Sequence, residues 1–146
     1  MTTRAASFLL LALVAACGHH YRVNEAARNV PNVFLHDVKV TGGETKLVLR
    51  IEAAEACEVA VAPPGDAGAF RLHAGERILA LTDVSGVEEL PGRTGVEARS
   101  SRKLSLTFEG LPEGVRDFAA EGEIAGVGPV AFDVRLDAPS VVTCGW

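Results

Sequence analysis

The chain has 146 residues, which suits one compact domain rather than two. Its 14 basic and 19 acidic residues give a net charge of −5, and the basic ones form no stripe that would neutralise phosphates. Nucleic-acid binding and a polybasic membrane patch are therefore poor expectations. Hydrophobic residues at 48% and charged residues at 23% supply a core and argue against disorder.

At the start, Arg4 precedes an apolar run from Ala5 to Ala16 that is broken only by Ser7. That order is the charged and hydrophobic region of a secretory signal. Twelve helical residues cover about 18 Å, short of a hydrocarbon core of roughly 30 Å, so residues 1–16 are expected to be cleaved rather than to span. One reading of the cut leaves Cys17 an ordinary thiol. The residues Val14-Ala15-Ala16-Cys17, however, resemble the lipobox of bacterial lipoproteins. The resemblance implies that Cys17 receives a diacylglyceryl thioether, becomes the new N-terminus and is often N-acylated. Several acyl chains, at roughly 0.8 kcal/mol per buried CH₂, exceed what stable anchoring requires. It also implies an extracytoplasmic, membrane-anchored location. Gly18, standing where an Asp often retains such proteins at the inner membrane, favours the outer membrane in a Gram-negative cell.

Residues 17–32 carry His19, His20, Tyr21, Asn24, Glu25, Arg28 and Asn29 without a sustained apolar period. They read as a lipidated N-terminus and a tether reaching at most roughly 50 Å from the bilayer. Residues 33–146 are then the folded domain. With Cys17 lipidated, Cys57 and Cys144 are the one remaining pair. An exported protein would join them in a disulfide that ties down the tail, for about 4 to 5 kcal/mol in the chain-entropy description. Two separate buried thiols are the other reading. Neither cysteine belongs to a Cys-x-x-Cys redox motif.

Alternation begins at Val33. One face carries Phe34, His36, Val38 and Val40, the other Val33, Leu35, Asp37 and Lys39, and the buried face is ambiguous. After the turn Thr41-Gly42-Gly43-Glu44, Leu47, Leu49 and Ile51 share one face of a strand over Lys46–Glu52, so a β-hairpin is expected. Ala53-Ala54-Glu55-Ala56 has helix formers and allows one helical turn. Cys57, Val59 and Val61 alternate next, and Pro63-Pro64-Gly65-Asp66 ends that strand. Further strands are expected at Phe70–Leu72, Arg77–Thr82, Lys103–Glu109 and Val130–Leu136.

Such short runs, with turn signals between them and no long amphipathic helix, predict an all-β antiparallel sandwich of about seven to eight strands. A small β-barrel is the alternative. The runs Thr45–Ile51 and Leu104–Pro112 resemble, in their order, the immunoglobulin-like domains of small exported bacterial proteins, over roughly residues 33–137. The antibody-type Cys, Trp, Cys order is absent, since Trp146 follows both cysteines. The resemblance implies the fold and transfers no site.

Reactive motifs are sparse. No Gly-x-Ser-x-Gly elbow occurs, although a triad is a spatial object and one built on His36 or His73 stays open. His19 and His20 are adjacent, but neighbours on an extended chain point to opposite sides, and no metal is expected there. Gly65-Asp66-Ala67-Gly68 lacks the ending of a phosphate loop and reads as a turn. The stretch Asp83–Arg102 holds acids without calcium-loop spacing, and Arg93 and Arg99 oppose a cation. No cofactor is expected.

Three functions remain. The leading one is a lipid-anchored, non-catalytic binding module of the cell envelope. Its contact surface would be the long loop with Asp83, Glu88, Glu89, Arg93, Glu97 and Arg99, taking an envelope protein or glycan. The alternatives are a small envelope hydrolase around His36 or His73, and a structural accessory of an envelope or secretion assembly that pairs through a sheet edge.

Overall fold

The computed structural model describes residues 18–137, 139 and 141–143, the last three by backbone alone. Eleven strands form and, among the described residues, no helix. In chain order they are β1 (Gly18–Ala26), β2 (Val33–Val40), β3 (Glu44–Ala53), β4 (Cys57–Val61), β5 (Arg71–Ala74), β6 (Arg77–Ser85), β7 (Thr94–Val96), β8 (Ser100–Glu109), β9 (Asp117–Ala125), β10 (Gly128–Arg135) and β11 (Val141–Thr143). Every strand pairing is antiparallel, along the open path β11-β1-β2-β3-β8-β6-β5-β9-β4-β7, with β10 on β9. The fold is all-β and sandwich-like, and no closed barrel forms among the described residues.

β6 joins the two layers. Its residues Arg77–Ala80 pair with β5, and from Leu81 onward it pairs with β8, with a register shift between Leu81 and Asp83. Between the layers lies one apolar core. Leu47, Leu49 and Ile51 from β3 and Leu104, Leu106 and Phe108 from β8 meet Leu72, Phe118, Ala120, Val130, Phe132 and Val134 from the other layer. Alternation dictates this arrangement, because every second residue of a strand faces the same side. Gly122 continues the inward row Phe118-Ala120 of β9, and the Phe70 ring occupies the space its Cβ would need.

The sequence reading differs from the structure at three points. Residues 18–26 are a strand rather than a tether, with His19 opposite Val40 and Tyr21 opposite Val38. Tyr21 and Val23 pack against the core, which holds the segment down. Ala54 and Glu55 form a bend instead of a helical turn. The strand count rises above seven to eight because β1, β7, β9 and β11 join the set.

β2 resolves its own ambiguity through a bulge. Val33 and Leu35 are fully buried, the register shifts between Leu35 and Asp37, and Val38 is buried next. An extra residue in one strand reverses the parity of all that follow. Each face in the sequence was therefore half right.

Pairing also defines two ends of the long sheet. At the first, His19 lies beside Val40, Val40 beside Thr45 and Thr45 beside Phe108. At the second, Ala53 lies beside Ser100, and β4 begins four residues later. Ten residues of β3 at about 3.4 Å each separate the ends by roughly 30 Å.

Candidate functional site

The loop expected to carry contacts divides between two kinds of structure. Asp83 belongs to β6, opposite Thr107, and is not a loop residue. The following segment is stitched to β4: Val61 N–H donates to Glu88 O at 3.2 Å, and Leu90 N–H donates to Val61 O at 2.8 Å. Glu88 N–H is capped by the Thr94 hydroxyl at 2.8 Å. Gly92 N–H returns to Glu89 O at 2.9 Å. At Gly86 the left-handed backbone and the nearby Lys103 carbonyl exclude a side chain, and Arg102 Nε donates to Gly86 O at 2.7 Å. This loop is held at both ends.

Glu88, Glu89, Arg93, Glu97 and Arg99 nonetheless have exposed side chains. Glu97 and Arg99 occupy the β7–β8 connection at the second end of the long sheet, where Arg99 N–H donates to Ala53 O at 2.8 Å. Arg99 itself takes a φ of 59°, a region that side chains other than Gly, Asn and Asp seldom adopt. Two open hollows lie at this end, and Arg99 lines the first. One of about 480 Å³ is lined by Asn32, Glu52, Arg99, Ser100 and Ser101 among others. A second of about 670 Å³ lies between Cys57, Glu58, Val96 and Glu97. The hollows bring the carboxylates of Glu52, Glu58 and Glu97 together with Arg99 at this end of the sandwich.

Two histidine clusters lie elsewhere. On β1 and β2, His36 Nδ1 donates to Asn24 Oδ1 at 3.0 Å, and its Nε2 lies 3.5 Å from Asp37 Oδ2. From the other side, His20 Nε2 approaches Asp37 Oδ1 at 2.9 Å. Both atoms of this last contact are shielded from solvent and are not aligned as a hydrogen bond. Two bulges create the cluster, one at Asn24 and one at His36, because they turn side chains of successive residues to one face. Spacing along the chain could not show it. His36-Asp37 is visible as a dipeptide, but His20 and Asn24 arrive only through register.

The other cluster belongs to β5 and β9. His73 Nε2 and Arg71 Nε both donate to Glu121 Oε1, each at 2.9 Å. These hydrogen bonds, that from His73 first and that from Arg71 second, hold the Glu121 carboxyl below its ordinary range. In both clusters an imidazole is oriented by an amide or carboxylate, which is the positioning half of a catalytic triad. The hydrogen-bond partners of His36 and His73 are Asn24 and Glu121, and no hydroxyl nucleophile is among them. Among the described residues, no group of three or more His, Cys, Asp or Glu is arranged to hold a metal ion.

Cys57 is a free thiol, half-buried beside Val96. Cys17 and Cys144, the expected lipid acceptor and disulfide partner, lie outside the described residues. Thr143, the neighbour of Cys144 in sequence, pairs with Gly18 at the first end of the sheet, whereas Cys57 stands at the second. The described structure shows Cys57 as a free thiol and no disulfide, and the expected partner Cys144 falls outside it. No helix among the described residues is long and apolar enough to cross a membrane.

Comparison with known proteins finds no matching family model, no matching curated protein and no matching solved structure.

Proposed function

We propose that the chain is a lipid-anchored, extracytoplasmic binding module, attached through Cys17 and offering the opposite end of its sandwich to a protein or glycan of the envelope. The observation that supports this reading is the polarity of the fold. Gly18, one residue after the lipobox cysteine, opens β1 at one end of the long sheet. The exposed residues Glu97 and Arg99 stand at the other, and Glu88, Glu89 and Arg93 are on the loop stitched beside it. With no slack between anchor and fold, the acyl chains hold the first end at the bilayer. The carboxylate-rich surface then stands roughly 30 Å out, within reach of neighbouring components.

The immunoglobulin-like resemblance agrees with such a module, since rigid sandwiches commonly present ligand contacts on end connections. Photo-cross-linking in intact cells tests the reading. A photoreactive residue at Glu89 or Glu97 is expected to give a discrete adduct, and one at Thr41, on the anchored end, is not. Intact mass of the membrane-extracted protein is expected to lack residues 1–16 and to carry diacylglycerol. An unlipidated mass, or adducts only from Thr41, would overturn the proposal.

A further inference from the structure

Basic residues that are scattered along the sequence are gathered on one face by strand register. Because Leu47, Leu49 and Ile51 of β3 and Leu104, Leu106 and Phe108 of β8 point inward, the residues between them lie on the outer face of the long sheet. Directly opposite residues share a face. Lys39 of β2 therefore stands beside Lys46 of β3, and Arg50 of β3 stands beside Lys103 of β8. His20 of β1, opposite Lys39, extends the first pair. Four residues of β3 separate Lys46 from Arg50, a distance of about 14 Å.

Like charges directly opposite each other destabilise a sheet, and this face holds two such pairs on a chain whose net charge is −5. Lys39, Lys46 and Lys103 take part in no ion pair among the described residues. Arg50 is held in place, stacked over the Phe34 ring at 4.9 Å with its Nη2 3.3 Å from Glu52 Oε1. Between the two pairs runs the row Arg22, Asp37, Val48 and Ser105. The Asp37 carboxylate in that row is bracketed by the imidazoles of His20 and His36, at 2.9 and 3.5 Å. Asp83 lies at the margin, beyond Thr107. The face is thus two cationic pairs with a hydroxyl and an apolar side chain between them.

We propose that this outer face binds a linear acidic polysaccharide in which a uronate alternates with a neutral sugar. The glycan lies along β3, with one carboxylate at Lys39 and Lys46 and another at Arg50 and Lys103. A carboxylate between two opposed cations turns their repulsion into two attractions, so each pair is a ready seat for one. Charge spacing favours this occupant over nucleic acid. A nucleic-acid strand carries a phosphate about every 3.4 Å, which would set uncompensated phosphates over Val48 and beside the Asp37 carboxylate. A neutral ring between two uronates instead lays hydroxyls and C–H groups over Ser105 and Val48. This face is separate from the end bearing Glu97 and Arg99 and carries no part of the anchor, so either proposal can fail alone.

Calorimetric titration of the full-length protein, in nonionic detergent, with hyaluronan oligosaccharides of defined length tests the proposal. A single-stranded oligodeoxynucleotide is the second probe. Saturable glycan binding that weakens with added salt is expected. The double variant Lys46→Gln/Lys103→Gln should bind about tenfold more weakly. The variant Arg77→Gln/Arg135→Gln, which removes the same charge from exposed positions of the other layer, should bind like the parent. Melting temperature of the lysine variant is expected at or above the parent's, because both opposed pairs lose a charge, so weaker binding would not reflect lost folding. Absence of glycan binding, equal weakening in the two double variants, or an oligonucleotide bound as tightly as the glycan would each overturn the proposal.

Discussion

Asn24 and His36 are hydrogen-bonded to each other, Oδ1 to Nδ1 at 3.0 Å, and each stands where its own strand breaks register. The bond ties the bulge of β1 to the bulge of β2. Asn24 also takes a φ of 52°, a left-handed conformation that Asn tolerates better than most residues. Asn24→Ala is expected to lose both the bond and that tolerance, for about 1 to 2 kcal/mol. Asn24→Gly keeps the backbone freedom and should lose less. Urea unfolding of the two variants tests the point, and equal losses would show that backbone conformation is not the cause.

Thr45 is wholly buried, and its hydroxyl accepts the Leu111 N–H at 3.1 Å. Thr45→Val keeps the shape and removes the acceptor, leaving a half-buried donor unpaired. A loss of about 1 to 3 kcal/mol is expected in chemical denaturation. Thr45→Ser retains the acceptor and should be milder. A valine variant at least as stable as the parent would mean that apolar packing outweighs the hydrogen bond.

Glu121 supplies a pH dependence whose sign follows from its partners. Its folded carboxyl is held below the ordinary range, chiefly by the His73 hydrogen bond and next by that of Arg71. The unfolded chain therefore binds this proton more readily, and stability rises with pH across the interval. The contribution is complete above the ordinary carboxylate range and is lost as pH falls through the lowered folded value. Melting temperatures of the parent and of Glu121→Gln, compared from about pH 6 down to pH 3, should converge as the pH drops. A gap that stays constant would separate stability from this carboxyl.

Cys57 should behave as a thiol. Maleimide labelling of the native protein without reductant, followed by peptide mapping, is expected to modify it. Cys57→Ala should shift the denaturation midpoint only slightly, well short of the roughly 2 to 5 kcal/mol associated with losing a native disulfide. A Cys57 peptide alkylated only after reduction would establish the bridge expected from the sequence.

Seven strands were legible because their side chains contrast strongly at alternate positions. β2 was expected at Val33–Val40 and forms over those same residues, and Leu47, Leu49 and Ile51 are the inward row of β3, as the alternation required. β9 alternates too, but its inward row Phe118, Ala120, Gly122 and Ile124 includes two small residues, and the hydrophobic contrast fades. β1 was masked by its composition. His19, Tyr21 and Val23 are its inward row, broken by the bulge at Asn24 and interleaved with His20 and Arg22. Of the candidate surface, the exposed charges from Glu88 to Arg99 were readable as a polar stretch, whereas the β4 hydrogen bonds that hold the loop were not.

By itself the amino-acid sequence determined the all-β class, the positions of seven strands and most of the inward rows of the core. Those properties depend on each strand's own alternation, which local chemistry records. Only the tertiary structure decided the register of β1 on β2, the reversal of faces at His36, the meeting of His73 with Glu121 and the separation of Cys57 from Thr143. Each is a relation between segments distant in sequence, set when strands choose partners and bury a shared core, and no single segment carries it.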